Sequence, residues 1–235
     1  MRADQRHFSD FGWLKSFWLF SFSNYHDPAN VRFGPLCAYN DEILEPGSAF
    51  PEHSHRDMEI VTLVFRGELD IHHGPRDRVA VGAGGVHAIT SGTGVSHFEA
   101  NSGDSPAHFH QLWITPATEN LEPEHHTGRF PPENRPGRLV PVASGHGAAG
   151  ALPIRADATV HLAAMEAGQR LQYRIPAGRM VFVYLIRGSM TANGVRLLKN
   201  DQIRLEPEKE DSSLDFQAIA GADFLLADLG ETEDS

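Results

Sequence analysis

Residues 47–67, GSAFPEHSHRDMEIVTLVFRG, and residues 91–101, SGTGVSHFEAN, carry the signature on which the fold turns. Each holds a pair of polar donors two residues apart, His53-x-His55 and His97-x-Glu99. Side chains alternate between faces along an extended strand, so both members of a pair enter the same side of a sheet. Two such strands side by side would bring three imidazoles and a carboxylate to one point. A mixed nitrogen and oxygen shell suits borderline divalent metals, Fe(II) above all, with Mn, Co, Ni, Cu and Zn chemically open. Four protein ligands would leave room for one or two waters on an octahedral ion. Spacing alone leaves a second reading open, that of histidines satisfied within a core, because fourteen histidines make chance pairs frequent. His108-Phe109-His110 is a pair of that kind, and it could reach the same cavity. His72-His73 and His125-His126 are adjacent, so each pair splits between two faces; a surface or rim position is expected.

Outward from these blocks the chain reads as short strands and turns. VTLVFRGELDIHH places strand formers on both sides of Gly67, which predicts a hairpin. AHFHQLWITP predicts a strand ending at Pro116, and residues 116–138, with five prolines, predict a long connection at a domain boundary. A second strand-rich block follows. FVYLIRG at 182–188 overlays TLVFRG at 62–67 and ends on the same Arg-Gly, a hint of internal duplication. Asn193-Gly194 predicts a tight turn, DFLLADL at 223–229 a last strand, and ETEDS a frayed acidic end. Many short strands with scarce helical patterning predict an all-β chain of two tandem barrels, residues 1–135 and 136–235, with few short helices. The aromatic start (Phe8, Phe11, Trp13, Phe17, Trp18, Phe20, Phe22, Tyr25) predicts an arm packed along the outside of the first barrel.

Composition narrows the classes. An apolar content of 40% and a charged content of 22% are ordinary for a folded soluble chain. A net charge of −11 argues against a nucleic-acid partner, which needs a clustered cationic face. The single cysteine, Cys37, excludes an intrachain disulfide framework. The first residues lack a cleavage site and an unbroken apolar run, and no stretch approaches the ~20 residues of a membrane span, so a cytoplasmic chain is expected. A monomer is the expected state.

With both pairs in place, the chain resembles the bacterial pirin-like proteins of the bicupin class. One cupin signature runs from Gly47 through His53-x-His55 to Gly67; the other is Gly94-x-x-His97-x-x-x-Asn101. GWLKSFWLFSFSNYHDP, QLWITP, HHTGRF, ADATVHLAAMEAGQRL and MVFVYLIRGSMTANGVRLLKNDQIRLEP extend the resemblance over nearly the whole chain. It implies His53, His55, His97 and Glu99 as the metal ligands. The usual cupin glutamate position is Ile60 here. Glu59 is one residue early and therefore on the opposite face, in a supporting role such as a hydrogen bond to a ligand ring or to Arg56. The second block has no HxH pair, and His161 stands there without one, which predicts a barrel that packs and holds no metal. The chain departs from the family in Ser54 for proline, Ile71-His72-His73-Gly74 for His-x-Asp-Ser, His87 for glutamine, and His110 for a non-histidine residue.

The resemblance implies a quercetin 2,3-dioxygenase-like activity, in which O2 opens the central ring of a flavonol and carbon monoxide leaves. The metal would acidify the flavonol 3-hydroxyl, with Glu99 as the group that takes its proton. Phe50, Met58, Phe98, Phe109 and Trp113 are the aromatic and apolar residues available for a flat pocket, with Phe98 turned away between two ligands; His87, Phe109, His110 and Trp113 are the candidate pocket lining. The same family implies a different class as well, a non-enzymatic iron-binding regulator that docks a protein partner, and a structural metal in a closed shell is a third reading.

Overall fold

The computed structural model describes residues 1–231; the acidic end ETEDS lies outside the described residues beyond Glu231. Its strands are β1 (His7–Asp10), β2 (Leu14–Trp18), β3 (Leu36–Leu44), β4 (His53–His55), β5 (Glu59–Arg66), β6 (Glu68–His72), β7 (Arg78–Gly82), β8 (Gly85–Thr90), β9 (Val95–Ala100), β10 (Ala107–Ile114) and β11 (Glu124–Arg129). There follow β12 (Leu139–Ser144), β13 (Leu152–Pro153), β14 (Ala158–Met165), β15 (Arg170–Ile175), β16 (Met180–Arg187), β17 (Ser189–Ala192), β18 (Val195–Leu198), β19 (Gln202–Leu205), β20 (Ser212–Ala218) and β21 (Ala222–Leu229). The helical elements among the described residues are 3-10 turns at Ala3–Gln5 and Pro132–Asn134, and no helix is long and apolar enough to cross a membrane.

Two compact units result. One comprises His7–Phe130 with Leu152–Ala156, the other Met1–Arg6, Pro131–Ala151 and the chain from Asp157 onward. The first six residues thus belong to a different unit from the aromatic start that follows them. Arg2 donates to Asp201 and Arg6 to the Tyr184 hydroxyl within the second unit.

The first unit has a large sheet, β1-β2-β3-β10-β5-β8-β11, and a small sheet, β4-β9-β6-β7. The second has the run β12-β14-β21-β16-β19 and the small sheet β15-β20-β17-β18. Neighbours are antiparallel, and no sheet closes into a continuous ring among the described residues. Each unit is therefore a two-sheet jelly roll, the cupin-type plan expected, with its sheets left open at their edges. Central strands β5 and β16 are apolar runs buried on both faces, as a strand flanked on both sides requires. Strand β9 alternates instead, with His97 and Glu99 buried between more exposed neighbours.

Three expectations change. The hairpin at Gly67 is a corner: β5 pairs with β10 and β8, whereas β6 pairs with β7 and β9. Gly67 sits at φ 73°, and a Cβ there would lie 2.9 Å from Ala107 Cα and the Pro106 carbonyl. A hairpin and a sheet-switching corner share one sequence signature, strand formers around a positive-φ glycine, so sequence alone does not separate them. The long connection at 116–138 contains β11, an edge strand on β8 whose polar residues mask its strand character. The aromatic arm is a strand pair, β1 and β2, that adds to the large sheet through β3. Phe8 and Phe17 stack on it, while Trp18, Leu19 and Phe20 are buried. Asn193-Gly194 does make the β17–β18 turn.

Candidate metal centre

Strand pairing assembles the donors. β4 lies antiparallel to β9 with His53 opposite His97, and parity turns His55 and Glu99 to the same interior. Ring centroids are 5.0 Å apart for His53 and His55, 4.6 Å for His53 and His97, and 5.1 Å for His55 and His97. One ring nitrogen of each lies within 4.8 Å of the others. The Glu99 Oε2 is 3.8 Å from His53 Nε2.

Supporting bonds orient this set. His53 Nδ1 donates to the Pro51 carbonyl at 2.9 Å, which leaves Nε2 as the lone-pair nitrogen aimed inward. Gln111 Nε2 donates to Glu99 Oε1 at 2.9 Å, and Trp113 Nε1 donates to Gln111 Oε1 at 2.8 Å. His55 stands edge-on to Trp113. By contrast, His55 Nε2 and both ring nitrogens of His97 are buried without a hydrogen-bond partner. Orphaned buried nitrogens are uncommon and costly, and a cation at the focus of the rings would satisfy one on each. Burial, with neighbouring imidazoles adding to it, holds the His55 pKa down to about 4 and that of His97 to about 3, so both rings are neutral at pH 7. The residues present fit a divalent metal.

A cavity of about 270 Å³ opens beside the donors, lined by Phe22, Phe50 and Trp113 with Asn40, Glu42, His53, Glu99 and Gln111 among its polar groups. Its walls are mainly apolar. Burial pushes the Glu42 pKa up to about 8, with Ser16 donating to the carboxyl.

The other expected pocket residues fall elsewhere. Of the four candidates, Trp113 lines the cavity. Phe109 is fully buried in the apolar core with Leu44, Val64 and Leu69. His110 has the opposite parity on β10 and meets the Tyr39 hydroxyl and Asp41 on the far face. His108 also binds Asp41, so that cluster is a closed network; burial raises the Asp41 carboxyl, but the two imidazoles outweigh it and hold it well below its ordinary range. His87 packs against His73 and His125 instead of the cavity. Met58 contacts Cys37, and Phe98 stacks on His72, away from the donors. Glu59 accepts from Thr90 and from the Arg155 backbone, so it supports neither a ligand ring nor Arg56. Asn40, Glu42 and Gln111 were not singled out from the sequence, and Phe22 only as part of the aromatic arm. Gln111 had a signal, since it lies two residues from Trp113 on the same strand face; Phe22 had none.

In the second unit His161 is half-buried and His146 pairs with Asp157; the histidine clusters among the described residues all lie in the first unit.

A pair of cupin-type jelly rolls with inward donors in the first defines the class: this is a two-domain cupin. The Pirin family profile matches residues 1–114, and the profile described as the quercetinase C-terminal cupin domain matches 141–229. The chain belongs to the pirin family. It is 34% identical to a putative quercetin 2,3-dioxygenase of Pseudomonas aeruginosa over 93% of both chains. It is 31% identical to a quercetin 2,3-dioxygenase of Escherichia coli over 97% of this chain and 96% of that one. Among solved structures it resembles the bacterial pirin YhhW from Escherichia coli in complex with nickel(II), with a TM-score of 0.92, 29% identity and 98% coverage of each chain.

Proposed function

We propose that this chain is a metal-dependent dioxygenase that opens a flavonol of the quercetin type with O2 and releases carbon monoxide. In this reading His53, His55, His97 and Glu99 hold one divalent ion, Fe(II) by preference. The observation that carries it is the juxtaposition of partnerless buried imidazole nitrogens with an aromatic-walled cavity on the same interior. The names of the relatives point the same way.

Bound there, a divalent ion would supply Lewis acidity to the flavonol hydroxyl and a redox partner for O2. The chain's own groups do the rest. Phe22, Phe50 and Trp113 present flat apolar surface to the rings of the substrate. Glu99, oriented at Oε1 by Gln111, is the carboxylate that takes the proton of the 3-hydroxyl. Glu42, kept neutral by burial, gives the wall a polar group without a second negative charge beside Glu99.

The test is an aerobic assay over a panel of flavonols after loading with iron or manganese, with metal content and carbon monoxide measured on the same sample. Bleaching of flavonol absorbance, lost in His55→Ala and in Glu99→Gln, is expected. Full metal occupancy with no turnover on any flavonol would overturn the dioxygenase reading and leave the metal site standing.

A further inference from the structure

A second group of three imidazoles lies in the same unit. His73 follows β6, His87 is central in β8, and His125 is on β11; one ring nitrogen of each lies within 4.8 Å of the other two. His87 is opposite Thr127 in the β8–β11 pairing, so His125, two residues before Thr127, shares its face. That register is why members of the two adjacent histidine pairs, expected at the surface or rim, converge with His87. Two of the three, His73 and His87, also stand where this sequence departs from the family pattern.

We propose that His73, His87 and His125 form a second site for a divalent cation of the borderline class, such as Zn²⁺ or Ni²⁺. His73 Nε2 and His87 Nε2 are 2.9 Å apart in a hydrogen bond between the rings, whose one proton a bound cation would displace. Two nitrogens on one ion, each at about 2.0–2.1 Å, stand about 2.9 Å apart at a right angle and about 3.3 Å apart in a tetrahedron. The present spacing is thus already that of two ligands on one ion. Two of the remaining nitrogens have the outer partners that metal-bound imidazoles use: His87 Nδ1 meets the Thr127 hydroxyl at 2.8 Å, and His125 Nε2 meets Asp77 at 3.0 Å. No carboxylate belongs to the group itself. His87 is fully buried, whereas the His125 side chain is 30% exposed and gives the ion a route in. His125 is stacked on His73 with centroids 4.1 Å apart, and it must turn out of that stack to complete the shell. This group abuts the first donor set, with His73 5.9 Å from His97 between centroids, yet shares no residue with it.

The probe is Zn²⁺ added to chelator-stripped full-length protein, with bound ions counted by native mass spectrometry and elemental analysis after gel filtration. Wild type is expected to hold two ions per chain, and the double variant His73→Asn/His125→Asn one. His53→Ala/His55→Ala is expected to keep the ion of the second group, so loss of the first site and loss of the second read out separately. Where the double variant fails to fold, His125→Asn alone, on an edge strand, is expected to weaken one of the two ions at least tenfold in competition with a chelator. Equal ion counts and affinities in wild type and the histidine-to-asparagine variants would overturn the proposal and leave the group a hydrogen-bonded packing of rings.

Discussion

The two units run one strand plan and furnish it with opposite chemistry. Their small sheets are ordered β4-β9-β6-β7 and β15-β20-β17-β18. Counted from the corner glycines Gly67 and Gly188, the fourth residue is Ile71 opposite Glu99 in one and Ala192 opposite Phe216 in the other. Continuing that register, His97 corresponds to Leu214, His53 to Tyr173 and His55 to Ile175. In the large sheets both central pairings slip by one residue near the corner, and Gln111 corresponds to Leu226. Leu214, Phe216, Ile175 and Leu226 belong to the apolar core of the second unit, with Tyr173 packed against it. The architecture therefore supplies an interior; the residues of matching parity on two strands decide whether it holds donors or hydrocarbon.

The largest effect is expected where one unit is given the other's residue. His97→Leu should lower the bound metal by one ion per chain and raise the melting temperature of the metal-free protein, because two partnerless ring nitrogens leave the interior. Undiminished metal, or a metal-free variant that melts well below wild type, would break the correspondence. Gln111→Leu is a gentler exchange at the position of Leu226. It removes the bond to Glu99 Oε1, and outer partners of this kind hold about 10–100-fold in metal affinity. Competition of Ni²⁺ with a chelator measures this, and unchanged affinity would reduce Gln111 to a packing role.

Parity explains what was legible in the sequence. His53, His55, His97 and Glu99 lie on short local patterns, and a local pattern fixes which side chains share a face. The repeated strand was visible for the same reason, in FVYLIRG and TLVFRG, which end the equivalent strands β16 and β5 at their corner glycines. Pairing partners are not local, and the misreadings follow from that. Gly67 reads as a hairpin until β10 and β8 are known to flank β5. His110 reads as pocket lining until Gln111 and Trp113 are seen to claim the cavity face of β10. His73 and His125 read as split surface pairs until β11 is placed beside β8.

The corner glycines test whether the shared plan has shared mechanics. Gly67 and Gly188 sit at φ 73° and 85°, and in each a Cβ would press on backbone, at Ala107 in one and Gly221 in the other. Gly67→Ala and Gly188→Ala should each cost about 1–3 kcal/mol in denaturant unfolding. A neutral result at one corner only would show that the two turns are alike in path and not in strain.

The smallest effect separates the units by proton binding. Burial foremost, together with neighbouring imidazoles, depresses His55 and His73 to about 4 and His87 and His97 to about 3. In the unfolded chain such rings titrate near about 6.5. Below that value the unfolded chain binds more protons than the folded one, so the stability present above about 6.5 is lost as pH falls toward the depressed values. The second unit adds one ring to this, His161, also lowered by burial. The metal-free protein should therefore melt at progressively lower temperature from pH 7 to pH 5, and His97→Leu should flatten the slope by one ring's share. Identical slopes in the two proteins would mean that His97 takes up its proton within the fold, and a ring that does so is not held ready as a neutral donor.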